Sequence, residues 1–176
     1  MLPEIKKILY TTNLGKSTRP VIKFSVSLAK KHDAKLYLLH VVEPLSDSGS
    51  FLIEAYLSEE MAQQAKEITQ KMRKQASQHV LDKIKNRVER FCAEELDTTP
   101  EQQSHLFGGI RVVSGSPAEM IVQEAENLGV DLIVIGSYTS SALKNALLGS
   151  TARKVTQISR KPVLVVPMPK TETWSD

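Results

Sequence analysis

Glycines and hydroxyl-bearing residues are concentrated between Asp131 and Thr151. A short apolar run ends there at Gly136, a polar run follows, and a glycine precedes a helical pattern. Free N–H groups at the start of a helix, hydroxyl donors and glycines that permit close backbone approach together bind anions such as phosphate. We therefore predict an anion-binding site in this stretch, formed by Gly136, Ser137, Thr139, Gly149, Ser150 and Thr151.

Other kinds of chemistry find little support in the sequence. The motifs of P-loop and dinucleotide-binding proteins, zinc proteases and serine hydrolases are missing. The four histidines have no metal-ligand spacing, and a structural role in a strand is favoured for His40 over a catalytic one. The single cysteine, Cys92, cannot form an internal disulfide and is interpreted as a small core residue. Since no pair of carboxylates lies near the loop, we assign no catalytic and no metal-binding residues, and we favour a binding protein over an enzyme.

The composition is that of an ordinary globular protein, with 41% hydrophobic and 24% charged residues in a chain of 176. We expect one domain over residues 1–168, with an extended helical region at about 51–107 and a loose polar tail at 169–176. A net charge of +3, with acids interspersed among the bases, argues against a nucleic-acid partner. No apolar run is long enough for a signal-peptide core or a membrane span, so we expect a cytoplasmic protein without a membrane partner.

Five apolar runs, each bounded by turn-forming residues, have the length and composition of strands. Because helical patterns separate them, the sequence predicts an α/β protein with a doubly wound, five-stranded parallel sheet and helices on both faces. The predicted strands are Ile5–Thr12, Lys35–Val42, Gly109–Val113, Asp131–Ile135, ending at Gly136, and Val163–Pro167.

The helices are predicted from apolar spacing and from their ends. Ser17 or Thr18 is expected to cap the first helix, and Ser116 with Glu119 forms a capping-box pattern before a helix that ends at Gly129. A long amphipathic helix is predicted over Ser58–Leu96; at 1.5 Å per residue it would reach about 60 Å, so we expect it to bend, break or project. Core packing is favoured for its apolar stripe over a partner-binding face. Glu101–Phe107 is left unassigned, and the last helix is predicted over Arg153–Arg160.

In such sheets ligands bind at the carboxyl ends of the strands, where the strand order reverses. If the first strand is central, Thr12 and Asn13 at its end face Gly136 and Ser137 at the end of the fourth strand. Gly115, after the third strand, borders the same crevice.

The chain resembles the universal stress protein family in the spacing from Gly136 to Gly149-Ser150 and in the Lys161-Pro162 break before a valine-rich final strand. The resemblance implies that family's adenine nucleotide alpha hydrolase-like fold and a small cytoplasmic stress-response protein. It also adds Val41, at the end of the second strand, to the candidate binding residues. Further matches, which extend over nearly the whole chain, are Ile8–Asn13, Leu39–Val42 and Gly115–Ala118.

Nucleotide-binding members of the family carry a glycine, two residues, a second glycine, nine residues, then a glycine with serine or threonine, and the phosphates of ATP lie on that loop. Gly136, Gly149 and Ser150 match this pattern, but Thr139 replaces the second glycine, and threonine is disfavoured at positive φ. Asn13 stands where the family usually has an aspartate; it keeps a carbonyl acceptor and adds an NH₂ donor. The resemblance implies ATP, with Mg²⁺, as the cofactor. The alternatives are a nucleotide-free signalling or interaction protein of the same fold, and a slow ATPase or self-phosphorylating protein.

The final strand is short, apolar and last in the sheet, so we expect it to be an edge strand whose free backbone groups invite pairing with another chain. The resemblance implies a homodimer in which Val163–Val166 of two copies lie antiparallel across a two-fold axis. An edge covered by the protein's own tail is the alternative.

Overall fold

The computed structural model describes residues 2–15, 17–43, 59–96, 99–138 and 148–168. The predictions for Thr139, for residues 51–58 and for the tail at 169–176 therefore lie outside the described residues. Within the described ranges the elements are β1 (Lys7–Thr11), α1 (Arg19–His32), β2 (Lys35–Val42), α2 (Glu59–Phe91), a π-helical turn (Cys92–Leu96), α3 (Pro100–Leu106), β3 (Phe107–Ser114), α4 (Pro117–Leu128), β4 (Leu132–Tyr138), α5 (Ser150–Ile158) and β5 (Val163–Met168).

The five strands form one parallel sheet in the order β3-β2-β1-β4-β5. This confirms the predicted doubly wound α/β fold, and β1 lies at the centre of the sheet, which was the condition for its end to face that of β4. The strand order reverses between β1 and β4, where the register sets Thr11 beside Ile135. The chain thus places Thr12 next to Gly136 at the carboxyl edge, which is where a ligand site is expected in this fold.

Alternating side chains of the sheet enter two cores, one on each face. Ile8 and Tyr10 of β1 belong to the core covered by α1, α3 and the C-terminal half of α2. Leu9, between them, belongs to the core covered by α4 and α5. Apolar residues on both faces of β1 explain why this strand appears in the sequence as a continuous apolar run rather than an alternating one.

Only some of the predicted helix ends agree with the structure. Gly129 adopts φ 60° at the C-terminus of α4, as predicted. Ser116 does precede α4, but the predicted capping box is wrong, because its side chain makes no capping hydrogen bond. The carboxylate of Glu119 instead accepts a hydrogen bond at 2.8 Å from Lys154 of α5. This exposed ion pair links two helices whose packing rests on the buried apolar residues of that face.

A capping box forms at the start of α3, in the region left unassigned. The N–H of Gln102 donates to the Thr99 hydroxyl at 3.3 Å, and the N–H of Thr99 donates to the Gln102 side chain at 3.0 Å. Pro100 occupies the first turn, where a missing N–H costs little. The Thr99-Pro100 pair is therefore the start of a helix.

Strand β4 is longer than predicted. It continues through Gly136 to Tyr138 and pairs with β5 from Ile133 onward, with Tyr138 beside Met168. The glycine does not end the strand because its missing side chain leaves room for neighbours: a Cβ on Gly136 would lie 2.5 Å from the Met168 sulfur and 2.9 Å from Cγ2 of Val21. A glycine is therefore required at position 136 by close packing and not by a turn.

The long helix is confirmed, with 33 residues in α2 before the π-helical turn. Its C-terminal half packs as expected, since Ile84, Phe91 and Cys92 are buried. Core packing is wrong for its N-terminal half, where Met61, Ile68 and Met72 are exposed. No described helix is long and apolar enough to cross a membrane.

Candidate functional site

The carboxyl ends of β1, β2 and β4 and the first turns of α4 and α5 enclose a crevice of about 560 Å³. This volume is typical of small-molecule sites. Gly115 does not line it, although Pro117 does, and Thr139 lies outside the described residues. Eight of the predicted residues line the crevice together: Thr12, Asn13, Val41, Gly136, Ser137, Gly149, Ser150 and Thr151.

One wall is the start of α5, which is fixed to the end of β4. The N–H of Gly149 donates to the buried Ser137 hydroxyl at 2.9 Å, and the Gly149 carbonyl accepts the first helical hydrogen bond from Arg153. The next three N–H groups, of Ser150, Thr151 and Ala152, have no intrahelical partner because they belong to the first turn. They provide a positive helix end at a wall of the crevice.

The opposite wall is the turn that leaves β1. The hydroxyl of Thr12 accepts the N–H of Leu14 at 3.1 Å, and Oδ1 of Asn13 accepts the N–H of Gly15 at 2.9 Å. The amide oxygen of Asn13 is therefore engaged within the turn, which leaves its NH₂ group to donate to a ligand. Thr18 was expected to cap α1 through its side chain, but its hydroxyl donates at 3.1 Å to the carbonyl of Gly15.

Two side chains from outside the turn bind two of its other carbonyls, those of Thr12 and Leu14. Nδ1 of His40 lies 2.8 Å from the Thr12 carbonyl, to which it must donate, so neutral His40 keeps Nε2 as an acceptor. Nη1 of Arg87, from α2, donates at 2.8 Å to the carbonyl of Leu14. Leu14 has a φ of 59°, which is unusual for a residue other than glycine. The structural role expected for His40 is thus supported, and the long helix is tied directly to the crevice wall.

Beneath this turn lies Tyr10, in the core. Burial raises the pKa of its phenol, although hydrogen bonds with Thr12 and Thr18 and the charge of Arg87 act in the opposite direction. Tyr10 is consequently a neutral, fixed support for the turn near neutral pH.

Tyr138 closes one end of the crevice. A Cβ on Gly15 would lie 2.8 Å from the Tyr138 hydroxyl, so the tyrosine side chain spans from the end of β4 to the turn after β1. Only a residue without a side chain at position 15 permits this approach. Tyr138 was not predicted as a lining residue, because the strand was expected to end two residues earlier, at Gly136.

Gly115 serves the turn after β3. Its φ of 152° favours glycine, a Cβ there would lie 2.6 Å from the Met120 sulfur, and its N–H donates to the carbonyl of Val42 at 3.0 Å. Gly115 therefore shapes a turn close to the crevice and does not line the crevice itself.

The electrostatics of the crevice come from dipoles more than from charges. Among the described lining residues there is no lysine or arginine, and the one carboxylate is that of the exposed Glu43. The described residues also contain no group of three or more histidine, cysteine or acidic side chains suited to a metal. What the lining offers is mainly hydrogen-bond donors: N–H groups, hydroxyls and the Asn13 amide. Such a surface suits a ligand rich in oxygen acceptors.

The sequence pattern of the universal stress protein family matches residues 4–167. The chain belongs to this family. It is 30% identical over 163 residues to universal stress protein YxiE of Bacillus subtilis, an alignment that covers 91% of this chain and 97% of YxiE. It is 31% identical over 166 residues to universal stress protein MJ0577 of Methanocaldococcus jannaschii, covering 92% of this chain and 94% of that protein.

Solved structures agree with the fold. The structure of MJ0577 superposes with a TM-score of 0.64 at 27% identity, over 94% of this chain and 97% of that one. A universal stress protein in complex with cAMP superposes with a TM-score of 0.55 at 19% identity, over 94% of this chain and 98% of that one. The five-stranded parallel architecture is therefore that of the family.

Proposed function

We propose that this universal stress protein is a small homodimeric regulator of the stress response that binds an adenine nucleotide, ATP with Mg²⁺, in the crevice. The observation that carries the proposal is the position of the α5 N-terminus, with its free N–H groups, on a crevice that the β1 turn also lines. Phosphates would lie at Ser150 and Thr151. The nucleoside would lie between the NH₂ group of Asn13 and the end of β2 at Val41.

Two further findings support a nucleotide. The crevice lies where the strand order reverses, which is the general ligand position of doubly wound sheets. A universal stress protein of the same fold was solved in complex with cAMP, so the architecture has held an adenine nucleotide in that protein. Thr139 and Asn13 depart from the family pattern of nucleotide-binding members.

Isothermal titration calorimetry with ATP and Mg²⁺, supported by thermal shift, tests the proposal. We expect saturable binding and a melting temperature that rises with ATP concentration. Thr151→Val keeps the shape of the side chain and removes a crevice hydroxyl, so it should raise the Kd about tenfold or more if that hydroxyl contacts phosphate. Thr156→Val, the same change on the exposed face of α5, is the matched control and should leave the Kd unchanged.

Adenosine and inorganic triphosphate identify the two ends of the site. Thr151→Val should weaken triphosphate and leave adenosine unaffected, while Asn13→Ala should do the reverse. A flat titration up to millimolar ATP would remove the nucleotide proposal and leave the nucleotide-free alternative. Phosphate release above that of a Gly149→Leu variant would instead assign slow hydrolysis to the site.

The homodimer is part of the same proposal. Strand β5 is an edge of the described sheet, and the side chains of Val163–Val165 are half-buried. Pairing with a second β5 would satisfy backbone groups and cover these side chains. Light scattering at micromolar concentration should give at least the dimer mass, and Val165→Glu should lower it. A wild-type monomer would count against this interface.

A further inference from the structure

The turn after β1 is bound from outside the crevice by Arg87 of α2. Nη1 of Arg87 donates to the carbonyl of Leu14 at 2.8 Å, and the two residues lie 73 positions apart in the chain. Neither Arg87 nor Leu14 lines the crevice, whereas Asn13, the residue before Leu14, does. Arg87 therefore holds a turn that carries a crevice residue, without lining the ligand space itself.

The part of α2 that carries Arg87 is anchored in the core. Ile84 and Phe91, three residues before and four residues after Arg87, are 2% and 1% exposed. Since successive helical residues are rotated by about 100°, both point within about 60° of Arg87 around the helix axis. The guanidinium group thus belongs to the face of α2 that packs on the sheet, and the core fixes the position from which it reaches the turn.

The backbone of Leu14 explains why the turn needs an external contact. Its φ of 59° lies in the left-handed region, which costs more for leucine than for glycine. Asp33, the other described residue besides glycine with a positive φ, is the C-terminal cap of α1, where a left-handed residue commonly ends a helix. Leu14 follows a strand, so no helix end accounts for its conformation.

The turn is not close-packed on the core beneath it. A space of about 20 Å³, separate from the crevice, is lined by Leu14, Thr18 and Arg87 together with core residues. It has room for about one water molecule. Because packing is incomplete there, hydrogen bonds take a larger share in fixing the turn. The bond from Arg87 has a charged donor, and such bonds are stronger than those between neutral groups.

We propose that Arg87 is a positioning residue for the nucleoside end of the crevice: by holding the Leu14 carbonyl, it keeps the NH₂ group of Asn13 directed at the ligand. This inference rests on the proposed nucleotide function and adds α2 to the elements that set the affinity of the site. Without the contact, Leu14 can return to a negative φ, which reorients the peptide that joins it to Asn13. The phosphate end lies on α5 and keeps its geometry.

Isothermal titration calorimetry with adenosine and with inorganic triphosphate tests the positioning role. Arg87→Met should raise the Kd of adenosine about tenfold and change the Kd of triphosphate less than about twofold. Retained triphosphate binding also shows that the variant is folded. Arg87→Lys keeps a charged donor, so its Kd for adenosine should lie between those of the wild type and Arg87→Met. The matched control is Lys85→Met, which removes an exposed cation from the same helix and should leave both Kd values unchanged.

A double-mutant cycle shows whether Arg87 acts through Asn13. In an Asn13→Ala background the group that Arg87 positions is gone, so Arg87→Met should raise the Kd of adenosine less than about threefold. A general loosening of the fold would add to the effect of Asn13→Ala instead.

The results separate this inference from the proposed function. If the wild type does not bind adenosine, the proposed nucleotide site is refuted together with any role of Arg87 in it. If the wild type binds both ligands but Arg87→Met leaves adenosine unaffected, or weakens both ligands equally, only the positioning role is overturned. An equal effect of Arg87→Met with and without Asn13→Ala would overturn it as well.

Discussion

Replacing Gly136 with alanine tests whether this glycine is needed for packing or for the approach of a ligand. Its backbone lines the crevice, as the sequence predicted, but its missing side chain faces the core. A Cβ there would lie 2.5 Å from the Met168 sulfur and 2.9 Å from Cγ2 of Val21. Ordinary carbon contacts lie near 3.5–4.0 Å, so the methyl group would overlap both neighbours.

The size of the effect follows from how far those neighbours can move. Met168 is flexible but almost fully buried, and Val21 is branched and buried, so the overlap cannot be relieved into solvent. Forcing extra volume into a packed core costs about 1–3 kcal/mol. For a chain of this length that lowers Tm by roughly 2–12 °C. The matched variant is Gly149→Ala, whose Cβ would meet only the Ser137 hydroxyl at 3.5 Å, an ordinary contact; it should cost less than about 1 kcal/mol.

Urea unfolding without ligand measures the free energy of unfolding of both variants. A double-mutant cycle with Met168→Ala shows whether overlap with Met168 causes the loss of stability. Met168→Ala alone should cost about 2–5 kcal/mol, since it leaves a cavity in the core. In that background the methyl group of Gly136→Ala occupies vacated space, so its cost should fall by about 0.5–3 kcal/mol. If Gly136→Ala is neutral, or costs the same with and without Met168, the packing explanation is wrong and a ligand-related role becomes the better account.

Three further predictions concern single contacts. Arg87→Met should lower the free energy of unfolding by about 1–3 kcal/mol and speed amide exchange in the turn at Leu14, with Arg87→Lys intermediate; unchanged exchange would show that this contact does not hold the turn. Ser137→Ala should cost about 1 kcal/mol because the Gly149 N–H loses its acceptor, whereas Ser137→Thr should retain most of it; equal costs would point to crowding instead. Burial raises the pKa of the Cys92 thiol, so the folded state holds this proton more tightly than the unfolded chain. Stability should therefore fall as the pH rises above about 8.5, and urea unfolding between pH 7 and 10 should show a smaller fall for Cys92→Ala; equal slopes would contradict this.

The strands could be predicted because they depend on local composition, whereas the position of β1 at the centre of the sheet entered only as a condition. The β1 run contains apolar residues for both faces of the sheet, and Gly129 is a residue for which the left-handed helix end costs little. In a parallel sheet the carboxyl ends of the strands lie at the same edge. The residues that follow the strands therefore lie at that edge, which is why Thr12 and Ser137 were expected close together. These inferences need no knowledge of which side chains touch.

The parts that failed depend on tertiary contacts. Strand β4 continues past Gly136 because it pairs with β5 as far as Met168. The Ser116 side chain makes no capping hydrogen bond, and Glu119 pairs with Lys154 of another helix. Periodicity shows that a helix has an apolar face but not what covers it, so the exposure of Met61, Ile68 and Met72 on α2 was not predictable. Arg87 was missed for the same reason: its partner lies 73 residues away in the chain.

The polarity of the crevice indicates which kind of ligand it can hold. In the turn after β1, the carbonyls of Thr12, Leu14 and Gly15 are already occupied by His40, Arg87 and Thr18, so the turn has few acceptors left to offer. Together with the start of α5, this turn gives the crevice walls that mainly donate hydrogen bonds. A helix N-terminus is equivalent to only about half a positive charge, and the described lining adds no lysine or arginine. A ligand with several negative charges would therefore be stabilised by hydrogen bonds without being neutralised. For this reason ATP should bind more tightly with Mg²⁺ than without it, and equal affinity in a chelating buffer would mean that the phosphates do not lie at the α5 N-terminus.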